Sequence, residues 1–181
     1  MTATVRPRPI EEVPTMAALA VQLLSNPNLA LPFRTEDARA LLPYLRLLDA
    51  PSGSVLVNEG DSEHAGNMFL VLEGEVQVGM RDGGDAVTFA IVGPGELLGE
   101  LGLLDGRPRS AHCAAITPVR AAGLSRASLQ RMHTDAPDLT ARFMAVIAHR
   151  IAERLRSLGD QLRMYAQRVE EQRLRLEAVR R

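Results

Sequence analysis

Glycines, one carboxylate and one guanidinium stand close together in Gly95-Glu96-Leu97-Leu98-Gly99-Glu100-Leu101-Gly102-Leu103-Leu104, followed by Arg109-Ser110-Ala111. These residue types can grip a small anionic sugar phosphate. Glycines let backbone N–H groups come close to an anion. A short helix opening at Gly99 would aim its first amides and its dipole at a phosphate. Arg109 can fork two hydrogen bonds onto phosphate oxygens. Glu100 would repel a phosphate, so it suits a sugar hydroxyl. The same two side chains could instead form a structural Glu100–Arg109 ion pair that caps a turn.

In order, spacing and setting, this segment resembles the phosphate-binding cassette of cyclic-nucleotide-binding domains. Bacterial catabolite activator protein, the regulatory subunits of cyclic-AMP-dependent kinase and cyclic-nucleotide-gated channels share that cassette. The resemblance implies that Gly99, Glu100, Leu101, Arg109, Ser110 and Ala111 are the ligand-binding residues. By the same resemblance Glu100 holds the ribose 2′-hydroxyl, Arg109 neutralises the cyclic phosphate, and Ser110 with Ala111 completes the phosphate shell. Leu98 and Gly102 depart from the pattern, which often has an aromatic and an alanine there. Both departures concern packing behind the cassette, not ligand contact.

A chain of 181 residues suits one domain plus an appendage. Six aromatic residues and no Trp mean an aliphatic core. All 21 basic residues are Arg, so every side-chain cation of that kind can make bidentate contacts. Cys113 is the only cysteine, which excludes an internal disulfide and a cysteine-ligated zinc or iron–sulfur site. His112-Cys113 reads as part of an ordinary strand. The four histidines (His64, His112, His133, His149) are scattered, so a metal-dependent enzyme lacks its ligand cluster and no catalytic residue is expected. No run is apolar enough to span a membrane, and Met16–Leu24 follows acids where a signal peptide wants positive charge. A cytoplasmic protein is expected.

Two regions must position the cassette. Residues 1–14, with Pro7, Pro9 and Pro14, predict an extended or disordered lead. Met16–Leu24 predicts a short helix. Thr35-Glu36-Asp37 predicts a second, with Thr35 as N-cap and Leu41, Leu42, Leu45 and Leu48 on one face to about Leu48. From Pro51 short strands alternate with glycine-bearing turns: Ser54–Val57, Met68–Leu72, Glu75–Val78, a hairpin turn at Arg81–Asp85, Val87–Val92, Ala111–Ile116 and Val119–Leu124. Strands at roughly ten-residue spacing predict an antiparallel jelly roll. The family fold is such a β-roll. The fold class is therefore α+β: an antiparallel β-roll with flanking helices and a long C-terminal coiled-coil helix. The expected domains are 1–30 (extension and short helix), 31–136 (β-roll) and 137–181 (long helix).

Ser125 predicts the cap of a helix to about His133, and Ala136-Pro137-Asp138 opens a longer one. Leu155, Leu158, Leu162, Tyr165, Val169, Gln172, Leu176 and Val179 alternate at steps of three and four, the seam of a coiled coil. Such a helix from Pro137 would be about 65 Å long. Gly159 is its weak point, a hinge or a break. Family members form a dimer along this helix, so a homodimer is expected. Arg168 with Arg173, and Arg175 with Arg180, would face each other in a parallel pair, a repulsion that Glu171 and Glu177 blunt. The chain changes sign along its length: 11 Arg against 17 acids through Asp138 give −6, and 10 Arg against 5 acids beyond it give +5. The basic tail is either a solvated face or a surface for an acidic protein or for nucleic acid. Specific DNA binding is not expected, since no helix-turn-helix domain follows.

The ligand implied by the resemblance is a cyclic mononucleotide, cAMP foremost or cGMP, with no metal or further cofactor. Val78 and Phe89 by strand position, and Arg150, Arg154 or Leu155 by helix position, are candidates for the base pocket, with core packing or solvated arginine as their other reading. The function expected is a stand-alone sensor that moves its C-terminal helix to regulate a partner protein. The alternative is a ligand-free scaffold that assembles through the coiled coil.

Overall fold

The computed structural model describes residues 7–26, 33–82 and 85–179. Nine strands form two antiparallel sheets. One has the order β1-β2-β9-β4-β7 and the other β3-β8-β5-β6. The strands are β1 (Arg8–Pro9), β2 (Arg46–Ala50), β3 (Val55–Val57), β4 (Asn67–Glu73), β5 (Val76–Asp82), β6 (Asp85–Val92), β7 (Leu97–Leu98), β8 (His112–Ala115) and β9 (Val119–Ser125). The helices are α1 (Pro14–Leu24), α2 (Thr35–Leu41), α3 (Glu100–Asp105), α4 (Arg126–Asp135) and α5 (Pro137–Val179). The chain divides into two compact units, one reaching to Phe143 and one from Met144.

The first unit is the predicted β-roll. Val57, Val71, Val76, Val78, Val92, Leu98, Cys113 and Val119 form one buried cluster, and small residues such as Ala115 and Ala121 fill between them. β-branched side chains fit the pleated surface that alternating strands present. The turn at Arg81–Asp85 has its tip at 83–84, outside the described residues. The strands on either side pair from Val76↔Val92 to Asp82↔Asp85. Val78 pairs with Ala90 and Gly79 with Thr88, so Phe89 is an extra residue in β6, a β-bulge.

Three local expectations are corrected. The proline-rich lead is ordered from Arg8. Arg8 and Pro9 pair with Leu47 and Arg46, and Ile10 is fully buried in a short 3-10 turn. Pro is tolerated there because β1 is an edge strand. The second helix does not reach Leu48. It ends at Leu41, passes through a 3-10 turn at Leu42–Tyr44, and Leu45 is already extended. Pro43, which supplies no N–H and disfavours helix before it, breaks the leucine pattern. Leu41 and Leu45 are both buried, but from different elements. Thr35 is the first helical residue and Arg34 stands at the cap without a side-chain hydrogen bond.

Around the roll, α4 begins as expected: the Ser125 hydroxyl accepts the Ser128 N–H at 3.1 Å. The start of α5 is fastened in the same unit. Phe143 meets Phe33 edge-on, with centroids 6.0 Å apart, and Arg142 pairs with Asp37 at 2.9 Å. α5 runs without interruption past Gly159 to Val179.

Candidate functional site

The site begins with a backbone that only glycine accepts. Gly99 caps α3 with φ +78°, and a Cβ there would lie 2.3 Å from the Arg109 guanidinium and 2.7 Å from the Asn67 carbonyl. This cap residue has no side chain to satisfy the first turn of α3. The first amides of a helix have no intrahelical acceptor. Glu100 is the first residue of α3 and its side chain is buried.

Arg109 is buried as well, though it carries a charge. Its guanidinium donates to the Gly99 carbonyl at 2.9 Å, to the His64 carbonyl at 2.6 Å, and to the Asn67 carbonyl. Its backbone is held too: the Arg109 N–H donates to the Asp61 carbonyl at 3.0 Å, and its carbonyl accepts the Gly60 N–H at 2.8 Å. Burial pushes the guanidinium down from its ordinary pKa, while Asp61, Cys113 and Glu100 act against that. Arginine keeps its proton in a folded protein, so the group stays cationic. Among the described residues, three of its five N–H donors go to carbonyls of the protein.

Glu100 opens α3, and the Arg109 guanidinium reaches the cap residue Gly99. Ser110 follows Arg109 and is exposed, Leu101 is exposed on α3, and Ala111 packs against the core cluster just before β8. Of the five candidates for a base pocket, Arg150 is half-buried on α5. Val78 is buried in the core cluster, Phe89 is 60 % exposed at the bulge, and Arg154 and Leu155 are exposed on α5. His112 and Cys113 are both buried on β8. Among the described residues no cluster of His, Cys, Asp or Glu could hold a metal ion.

Two residues matter more than their sequence context suggested. Asp61 accepts the N–H groups of Glu63 at 2.9 Å and His64 at 3.2 Å, and lies 3.1 Å from the His64 ring. These bonds, led by the His64 amide, hold Asp61 below the usual carboxylate range. The same turn presents the His64 carbonyl to Arg109. Asp61-Ser62-Glu63 carries the signature of a side chain that folds back onto amides two and three residues on. Arg126 donates to the Gly102 and Leu103 carbonyls at 2.9 and 3.2 Å, closing the C-terminal end of α3 from the first residue of α4. Nothing local marks this contact, which spans more than twenty residues.

The two departures behind the cassette have structural answers. Gly102 packs so closely on the 62–66 turn that a Cβ would lie 2.4 Å from the Ala65 carbonyl, leaving no room for alanine. Leu98 pairs across the ladder with Phe69, whose ring packs on the same cluster.

A family model described as "Cyclic nucleotide-binding domain" matches residues 47–135. A cyclic nucleotide-binding domain from Methylobacillus flagellatus KT is a structural neighbour at TM-score 0.72 and 30 % identity, covering 81 % of this chain and 82 % of that one. Thermus thermophilus catabolite activator protein superposes with TM-score 0.58 at 29 % identity, over 70 % of this chain and 59 % of that one. The CRP-like cAMP-activated global transcriptional regulator of Mycobacterium tuberculosis is 31 % identical over 123 residues, 67 % of this chain and 54 % of the relative. The chain therefore spans about half the length of that curated relative.

Proposed function

Because the chain belongs to the cyclic nucleotide-binding domain family, we propose that its β-roll binds a cyclic mononucleotide, cAMP foremost, and reports it through α5 to a partner protein. One observation carries the reading: a buried carboxylate and a buried guanidinium flank a helix start whose cap residue is a glycine. Arg109, held by three carbonyls, keeps two N–H donors for a ring phosphate. The first turn of α3 adds amides and dipole for the same charge. Glu100 accepts the ribose 2′-hydroxyl, and Ser110 offers a hydroxyl to the phosphate. The name of the Mycobacterium relative, a cAMP-activated regulator, favours cAMP over cGMP.

In this reading residues 31–136 sense and 137–181 respond, in the cytoplasm. Phe89, exposed on β6, is the candidate that the roll itself offers to the base. Two copies associate along the first half of the α5 seam. Near-complete switching requires the nucleotide to prefer one state of the helix by about 5.5 kcal/mol.

Calorimetric titration of the purified chain with cAMP and with cGMP tests this. Heat with cAMP is expected, and its loss or strong weakening in Arg109→Ala and Glu100→Ala. No heat and no thermal shift at millimolar nucleotide would overturn the reading. Assembly without nucleotide binding would instead favour a scaffold.

A further inference from the structure

The seam of α5 has one-sided flanks. Leu155, Leu158, Leu162, Tyr165 and Val169 are 50–70 % exposed and follow each other at steps of three and four. With Leu155 at heptad position a and Leu158 at d, the g positions are Arg154, Gln161, Arg168 and Arg175, and the e positions are Gly159, Ala166 and Arg173. Four of these seven are arginine and none is acidic.

The flanks also change along the helix. In a parallel pair of identical chains, Arg154 faces Gly159 and Gln161 faces Ala166, contacts without repulsion. Further on, Arg168 faces Arg173. An antiparallel pair sets g against g and e against e, and supplies no acid either. The acids of this region, Glu170, Glu171 and Glu177, lie at b and c, off the flanks. Glu170 pairs with Arg173 on its own helix at 3.1 Å. Both side chains are more than half exposed, so that pair exchanges at little cost.

We propose that the α5 stripe from Leu162 to Arg175 docks an amphipathic helix of a different protein, one that carries glutamate or aspartate beside an apolar seam. Charge complementarity selects the acid, and the exposed Leu162, Tyr165 and Val169 select a helix with its own apolar stripe. A nucleic acid would satisfy the arginines but would bury none of that stripe. The inference names the partner of the output helix and rests on the reading of α5 as that element.

Fluorescence anisotropy of labelled synthetic peptides with the full chain tests it. One peptide has leucine at a and d and glutamate at e and g; a second has the same seam with lysine. A third scrambles the glutamate peptide so that the seam is lost, and a polyuridine RNA is the fourth probe. The glutamate peptide should bind about 10–100-fold tighter than the lysine peptide, by a margin that shrinks with salt. The double variant Arg168→Glu/Arg175→Glu, shown by circular dichroism to keep its helix, should reverse the preference. Equal binding of the glutamate and lysine peptides would overturn the proposal. So would scrambled peptide or RNA binding as tightly as the seamed glutamate peptide. Charge preference without nucleotide binding would sink the sensor alone, and nucleotide binding without charge preference the docking stripe alone.

Discussion

At the scale of single residues the site is a set of backbone carbonyls arranged around one cation. Arg109 depends on the turn that Asp61 folds, which makes two predictions. Asp61 is held below its ordinary pKa, so its stabilising contribution is present above about pH 4 and is lost as pH falls through the depressed value. In thermal melts, Asp61→Asn should be less sensitive to acid than the parent between about pH 5 and pH 2. Gly102→Ala forces a methyl against the Ala65 carbonyl and should cost about 1–3 kcal/mol in denaturant unfolding. The grouping of Gly99, Glu100 and Arg109 was legible because they lie within eleven positions, and the structure keeps Arg109 bonded to Gly99. Arg126 was not, since its partners are backbone carbonyls brought near only by the closed roll; Asp61 folds a local turn, but the link from that turn to Arg109 exists only in the fold.

At the scale of elements, the strands were legible wherever turn glycines punctuated β-branched runs. The lead and the second helix were not. Ile10 is ordered by burial against the roll, and Pro43 cut a leucine periodicity that reads as helical. Caps offer the next test. Ser125→Ala removes the hydroxyl that accepts the Ser128 N–H and should lower stability by about 0.5–2 kcal/mol. Gly159→Ala meets nothing within 4 Å in a helix that passes straight through it. It should raise the thermal stability of the helical signal by about 0.5–1 kcal/mol, read by circular dichroism.

At the scale of the molecule, the sequence is net negative through Asp138 and net positive beyond it, and the residues at steps of three and four on α5 form an exposed apolar stripe. What spacing could not reveal is which residues share the interior. Cys113 is the clearest case: the single thiol sits in the core cluster, near enough to Arg109 to act on its charge. It therefore serves as a built-in clock for breathing of the barrel. A thiol reagent should modify the native protein in proportion to the time the sheets stand apart, and at the opening rate itself only where labelling outpaces reclosing. A nucleotide that binds only the closed protein should slow that labelling by a factor of one plus the ratio of free nucleotide concentration to Kd.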